Sequence, residues 1–289
     1  MKTNRRRKDL FGKMKKGTLI ALLCVGGITA SAQTIGGNVY GGGNAAEVDN
    51  NTVVKIQDGT VKSVFGGGCK ANVKGYADVL VVGGTVETAV FGGNDINGTV
   101  LGGVGADPAI TTPSPRNDTT GVTTAAFVRI KDAPKVAKVF GGGNGDYRYD
   151  SPEYAGMSAP TLTTTYVKVD MNASGKIDSA VFGGGNAATV NTTEVHINNY
   201  GDIHYVFGGG NAATVLTSTT VTIDADANIK IDTVFGGNNK AQMNILPYID
   251  LKSGTIHTVY GGGNAGAMAA QATASYLPTP ATPRHSVSD

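Results

Sequence analysis

One ten-residue segment sets the pattern of the whole chain: Val181-Phe182-Gly183-Gly184-Gly185-Asn186-Ala187-Ala188-Thr189-Val190. The same ten residues return at positions 206–215. Looser copies of the opening V-[FY]-G-G motif begin at Val39, Val64, Val90, Val139, Val234 and Val259. The eight onsets are separated by 25, 26, 49, 42, 25, 28 and 25 residues. A period near 25 residues is typical of a solenoid or another repeat array.

Each repeat predicts three short strands separated by turns. Ahead of the glycines, β-branched residues recur two positions apart, as at Val195 and Ile197, which is typical of a strand with one buried face. A second strand leads into the motif, as over residues 203–207, and a third short strand ends at residues such as Val215. Three strands in about 25 residues predict one rung of a parallel β-helix. The chain is therefore expected to be an all-β solenoid of about eight rungs.

Two other all-β folds fit the repeat less well. The blades of a β-propeller need about 40 residues, which is more than the period allows. A β-sandwich would not keep one motif at a constant spacing. Because a single rung cannot bury its apolar residues alone, stacking of rungs is needed to form a continuous core, and this favours the solenoid.

Stacking aligns equivalent positions of successive rungs into columns about 4.8 Å apart. The aromatic column contains Tyr40, Phe65, Phe91, Phe140, Phe182, Phe207, Phe235 and Tyr260. The asparagine column contains Asn44, Asn144, Asn186, Asn211 and Asn264, whose amides are expected to hydrogen-bond to one another and to the turns. The motif glycines permit either a positive φ or a close approach of backbone. At Gly184 and Gly209 a positive φ is expected, so a β-branched residue placed there should be strained. The sequence does not decide whether the aromatic column faces the core or an outer surface.

Two long gaps predict loop insertions in a repeat domain that spans residues 33–268. The first lies near residues 105–126 and is rich in Pro, Thr and Asp, and the second lies near residues 145–164 and holds three tyrosines. Both follow the glycine turn, so both should emerge from the same corner in adjacent rungs. After residue 268 the pattern fades into Ala, Thr and Pro, which predicts a disordered tail over residues 269–289.

The N-terminal 32 residues are expected to be a secretory signal peptide. A basic segment is followed by an apolar run over residues 17–29 and by Ala30-Ser31-Ala32, the small-residue pattern of a cleavage site. The apolar run is short for a membrane span, so the mature chain is not expected to insert into a membrane. Leu23 in front of Cys24 argues against a lipoprotein. Cleavage would leave Cys69 as the one cysteine, which excludes an intrachain disulfide.

The charge of the chain excludes nucleic acid as an expected partner. The net charge is +2, but eight of the 24 basic residues and one of the 22 acidic residues lie in residues 1–32. The remaining chain therefore carries a net charge of −5. A mildly acidic surface does not attract nucleic acid or anionic lipid.

Tandem V-[FY]-G-G-G-N-A-A segments behind a predicted signal peptide resemble those of repeat-rich exported surface proteins of Bacteroidetes-type bacteria. The resemblance covers roughly residues 33–268. It implies a β-helical, adhesin-like protein at the cell surface or outer membrane, or outside the cell. It carries over no catalytic residue.

The glycine runs do not match the motifs that bind phosphate or calcium. A P-loop and a dinucleotide fold each need spacings that are absent here, and the calcium β-roll needs Asp where Ala-Ala usually follows the asparagine. His204, Asp232 and His257 each lie two residues before the motif valine, so stacking would align them as an ion pair or a weak metal site. Other rungs carry varied residues at that position, which favours a solvated polar face. We therefore expect no cofactor and no metal.

An enzyme is the alternative hypothesis. Polysaccharide cleavage on a β-helix would need clustered carboxylates with Arg or Lys, placed beside the insertions. The aspartates of this chain are instead scattered and tend to follow strand ends, as turn residues do. The sequence therefore favours an exported, non-catalytic β-solenoid with a structural or adhesive role.

Specific recognition is expected where the repeat is interrupted, because binding residues concentrate on loops held by a rigid scaffold. The candidate ligand-binding residues are Tyr147, Arg148, Tyr149, Asp150 and Tyr154. Tyr and Arg are enriched at binding hot spots, and the face of a tyrosine ring can stack on a sugar. The expected partners are host or environmental glycans or matrix proteins.

Overall fold

The computed structural model describes residues 32–102, 124–199, 201–224, 228–268 and 273–276. In chain order the strands are β1 (Thr34–Tyr40), β2 (Thr52–Ile56), β3 (Thr60–Phe65), β4 (Ala77–Val81), β5 (Thr85–Phe91), β6 (Thr99–Val100), β7 (Ala126–Asp132), β8 (Lys135–Phe140), β9 (Thr161–Met171), β10 (Lys176–Phe182), β11 (Thr189–Asn199), β12 (Gly201–Phe207), β13 (Val215–Ile223), β14 (Ile229–Phe235), β15 (Pro247–Leu251), β16 (Thr255–Tyr260) and β17 (Thr273–Tyr276). The helical structure within these ranges is one 3₁₀ turn, Pro152–Tyr154, and it is neither long nor apolar enough to cross a membrane.

The strands form two parallel sheets, and the fold is a parallel β-helix. One sheet contains the strands that lead into the glycine motif, in the order β1-β3-β5-β8-β10-β12-β14-β16. The other has the order β17-β15-β13-β11-β9-β7-β4-β2, with β6 paired to β9. We call them the motif sheet and the second sheet. Eight strands in the motif sheet confirm the predicted eight rungs.

The interior core is built from the valines and isoleucines of both sheets. The motif valines Val64, Val90 and Val181 are fully buried, as are Val79 and Val81 in the second sheet. They belong to one cluster that runs through the stacked rungs. The period-two alternation of the sequence therefore identified the buried face of the strands.

The predicted third strand is mostly reduced to a single buried residue in each rung. Val73 forms isolated parallel bridges to Val48 and Val100, and Met243 does so to Met268. In the rungs of β9, β11 and β13 this third side runs without a break into the second sheet, because these strands already begin there.

The motif positions require glycine because the backbone of the next rung approaches them closely, and not because their φ is positive. The described glycines with positive φ are Gly59, Gly84, Gly98, Gly102, Gly145, Gly156 and Gly254, none of which belongs to a motif. A Cβ atom on Gly184 would instead lie 2.8 Å from the backbone nitrogen of Gly210, and one on Gly183 would overlap the carbonyl oxygen of Gly208. Rungs stacked at strand spacing leave no room for a methyl group that points along the axis.

The turns from the second sheet into the motif sheet are where the chain does need a left-handed conformation. Gly59, Gly84 and Gly254 have φ of 91°, 74° and 95°. Two equivalent turns use Asp132 and Asn199 instead, with φ of 62° and 59°. Asp and Asn tolerate this region because their short polar side chains can hydrogen-bond locally.

Strand residues lie inside both predicted insertions and inside the predicted tail. Ala126 already belongs to β7, and the second insertion ends at Pro160 because Thr161–Thr164 belong to β9, where Leu162 supplies the buried residue of the third side. Within the predicted tail, Thr273–Tyr276 forms a strand, since the outer edge of β15 offers unpaired backbone groups. The predicted signal peptide, except residue 32, and most of the first insertion lie outside the described residues.

Candidate binding groove

The aromatic column faces away from the interior core. Its eight rings are stacked from Tyr40 to Tyr260, with centroids 4.7–5.0 Å apart and ring planes within 12° of parallel. Phe182, Phe207 and Phe235 are neighbours in successive rungs, as the stacking of the repeat predicts. The six phenylalanines are only 2–5% exposed and form a cluster of their own, joined by Ala89 and Ala180. Because each motif valine faces inward, the adjacent aromatic residue faces outward and is buried by its own copies.

The asparagine column forms a hydrogen-bonded ladder, which confirms the prediction for Asn144, Asn186, Asn211 and Asn264. Each Nδ2 donates to the Oδ1 of the preceding rung, and Asn239 completes the series between Asn211 and Asn264. The four N–O distances are 2.8–3.0 Å. All amides of this ladder therefore point the same way along the axis.

The ladder ends on Asp95, which was not predicted to belong to it. The Asp95 carboxylate accepts from Asn144 Nδ2 at 2.9 Å and from the hydroxyl groups of Tyr147 and Tyr40, both at 2.7 Å. Asp95 is 2% exposed, so these three donors compensate for its burial. The three donors come from β1, from the asparagine ladder and from the second insertion.

Two buried asparagines explain why Asp95 and Asn239 escaped the sequence pattern. In the rungs that begin at Val90 and Val234, Asn94 and Asn238 replace the third glycine. Each is fully buried, and its Oδ1 accepts from the backbone N–H of a glycine in the preceding rung at 2.8 Å. Counting positions from the motif valine, and not matching G-G-G-N, would have placed Asp95 and Asn239 in the column.

An axial groove lies between the aromatic column and the asparagine ladder. One cavity of about 440 Å³ is lined by Phe182, Phe207, Asn211 and Asn239, among others. A second cavity of about 340 Å³ is lined by residues of earlier rungs, including Phe65 and Phe91. Both are also lined by Lys138 and Phe140, so the two cavities are parts of one groove. Its floor is aromatic, and one wall carries a row of primary amides.

The second insertion folds back onto the corner of the preceding rung, beside this groove. The structure brings Tyr147, Tyr149 and Tyr154 together, with ring centroids 5.1–6.4 Å apart. Tyr147 donates to Asp95 and Tyr149 donates to the backbone oxygen of Ile96. Tyr147 and Asp146 also line the groove.

The hydroxyl groups of Tyr147 and Tyr149 act as anchors and keep their protons. Burial, together with the hydrogen bond to and the charge of Asp95, raises the pKa of Tyr147. Burial raises the pKa of Tyr149 to about 12, with a further contribution from the charge of Asp95. Both side chains therefore remain neutral donors at physiological pH.

The other two predicted ligand-binding residues form the exposed tip of the insertion. The side chains of Arg148 and Asp150 are 85% and 77% exposed, and their charged groups lie 3.7 Å apart. They do not join the tyrosine cluster. An ion pair with this exposure contributes little to stability, so both side chains are available to a partner.

Comparison with protein-family models, with curated proteins and with solved structures finds no match to this chain.

Of the three residues that the sequence suggested as a weak metal site, His204 and Asp232 form a simple pair, and His257 is exposed. His204 Nδ1 lies 2.6 Å from Asp232 Oδ2, and both side chains are more than 60% exposed. Within the described ranges, no three His, Cys, Asp or Glu side chains are grouped closely enough to hold a metal ion.

Tyr205 is a groove residue that the sequence analysis missed. It lines the larger cavity, is 46% exposed, and its ring centroid lies 6.3 Å from that of Phe207. The signal was present, since Tyr205 occupies a position where other rungs carry the smaller or non-aromatic residues Asn, Ser, Ala, Lys or Thr. The tyrosine at this position indicates a ligand contact only because the position forms the wall of a groove.

Proposed function

We propose that this protein is an exported, non-catalytic β-solenoid of the cell surface with a structural or adhesive role. The observation that carries the proposal is the insertion at residues 145–160, which is anchored to the scaffold by two tyrosine hydroxyl groups and displays Arg148 and Asp150 at its tip. A loop that is already ordered before binding loses less conformational entropy when a partner docks. Glycans and matrix proteins are the proposed partners.

The surroundings of Asp95 support a binding role over a catalytic one. A general acid or base must exchange a proton with the substrate, so its carboxyl group must be accessible. Asp95 is buried and accepts three hydrogen bonds from the protein itself. This carboxylate, the one most enclosed at the insertion corner, is suited to holding the loop.

Binding by the tip can be tested with a double substitution that leaves the anchors intact. We expect Arg148→Ala/Asp150→Ala to weaken binding to the glycan or matrix protein that the wild-type chain recognises by at least tenfold. The matched control is Lys176→Ala/Asp178→Ala, which removes an exposed ion pair, 2.7 Å long, between residues that are also two positions apart. Surface plasmon resonance against immobilised glycans and matrix proteins gives the affinities.

Three results would contradict this proposal. Equal binding by the tip variant and the control would show that the insertion tip is not the contact. A wild-type chain that binds none of the glycans or matrix proteins would remove the adhesive role. New reducing ends released from a polysaccharide during incubation with the wild-type chain would overturn the non-catalytic assignment.

A further inference from the structure

We propose that the axial groove binds a linear, neutral polysaccharide laid along the solenoid, with Tyr205 as its stacking platform. The inference rests on the proposed adhesive function and gives it a ligand class and a second contact surface. It is carried by the chemistry, the repeat distance and the charge of the groove, which are independent of the insertion tip.

The middle of the ladder leaves hydrogen-bonding capacity unused. A primary amide has two N–H donors and an oxygen with two lone pairs. In the middle of the ladder, Asn211 uses one N–H toward Asn186 and one lone pair toward Asn239. Asn211 is half-buried and lines the groove, so its second N–H and second lone pair are left for a ligand. A sugar hydroxyl, which both donates and accepts, matches such a pair.

The repeat distance selects the kind of polymer. The rungs recur every 4.7–5.0 Å, as the stacked rings show. An extended peptide advances about 3.3 Å per residue, so its equivalent side chains lie about 6.6 Å apart and lose register with the amides within a few rungs. Each sugar unit extends a linear polysaccharide by about the length of one sugar ring. This length is close to the spacing between rungs. The polysaccharide can therefore place a hydroxyl group near each amide in turn.

Tyr205 supplies the apolar contact that sugar rings need. The phenylalanines of the floor stack on one another, so their faces are occupied and they are nearly buried. Tyr205 stands on the wall, lines the same cavity and is 46% exposed. An exposed aromatic side chain provides a large apolar surface at a small cost in conformational entropy.

The charges along the groove favour a neutral chain. Lys138 and Lys240 line the larger cavity, and Lys138 also lines the smaller one together with Lys62, Asp95 and Asp146. A groove that recruits a polyanion or a polycation is lined by charge of one sign. Here both signs occur, and the element repeated at every rung of the ladder is uncharged.

The proposal can be tested with substitutions on two equally exposed tyrosines. Protein is purified after expression of the full-length chain and titrated calorimetrically with soluble β-1,4-glucan, xylan and mannan, and with polygalacturonate as the acidic counterpart. We expect Tyr205→Ala to weaken binding to at least one neutral chain by about tenfold or more, and Tyr205→Phe to bind like the wild type. Tyr248 is 48% exposed on the second sheet, so Tyr248→Ala is the matched control and should bind normally.

Ligand length gives a second readout. Because five asparagines form the ladder, affinity should rise from disaccharide to hexasaccharide. Equal effects of Tyr205→Ala and Tyr248→Ala would overturn the proposal, as would an affinity that stops rising at the disaccharide. Tighter binding of polygalacturonate would overturn the neutral ligand class.

The two proposals fail in different ways. If no neutral polysaccharide binds but a matrix protein does, the groove assignment is wrong and the adhesive function stands. Loss of binding in the insertion-tip variant, with full binding by Tyr205→Ala, leads to the same conclusion. If the chain binds nothing in either experiment, both proposals are wrong.

Discussion

Replacing Gly184 by alanine tests why the repeat requires glycine. A Cβ atom there would lie 2.8 Å from the nitrogen and 2.9 Å from the Cα of Gly210, and 3.1 Å from the carbonyl carbon of Gly209. Favourable contacts between carbon atoms begin near 3.5 Å, so the shortfall is on the order of 0.5 Å against backbone. The neighbouring rung is held by parallel ladders on two sheets and cannot move aside cheaply.

The expected cost lies in the upper part of the range for overpacked sites, about 2–3 kcal/mol. For a domain of this size, that corresponds to a decrease in melting temperature of about 5–10 °C. Thermal unfolding followed by far-UV circular dichroism measures this decrease. Urea titration should show a lower midpoint with an unchanged slope if the native state alone is affected.

Two other glycines separate steric overlap from backbone strain. Gly37 has no atom within 4 Å of the added methyl position and no positive φ, so Gly37→Ala should change stability by less than about 0.5 kcal/mol. Gly156 has a φ of 77° in open space, so Gly156→Ala reports the cost of backbone strain alone, about 1–2 kcal/mol. A melting temperature for Gly184→Ala equal to that of Gly37→Ala would refute the steric argument. A larger loss for Gly156→Ala would show that conformation matters more than close packing.

Three further outcomes follow from the ladder and the insertion. Asn211→Leu should cost about 1–3 kcal/mol, because it leaves half-buried amide groups on both sides without a partner; thermal melts should show little change for Asn44→Leu, which alters an exposed member of the same column. Asp95→Ala should make residues 145–160 sensitive to limited proteolysis, since it removes the oxygen to which Tyr147 donates; unchanged protection would contradict the anchoring role. The raised pKa of Tyr149 means that its contribution to stability is fully present below the pKa of an unfolded tyrosine, near 10. It should be lost as the pH rises through its folded pKa of about 12, and proteolysis of the loop across that alkaline range measures it.

The architecture could be predicted from the sequence because a solenoid converts sequence period into spatial register. Residues 25 apart become neighbours in adjacent strands, so a match between Val181 and Val206 in the sequence is also a contact in the structure. For the same reason, the asparagine column could be predicted to form a hydrogen-bonded ladder. In both cases the argument needs only the repeat itself and the spacing of β-strands.

Tertiary structure decided how side chains that break the repeat are used. The insertion could be located from the sequence, but its contact with Asp95 joins residues 52 positions apart that no period relates. The reason for the glycines also depends on where backbone atoms of the next rung lie. Whether the phenylalanines face inward was undecided because stacked rings can bury one another on an outer surface. The groove follows from that outward orientation, and Tyr205 acquired a role only once the wall on which it stands was known.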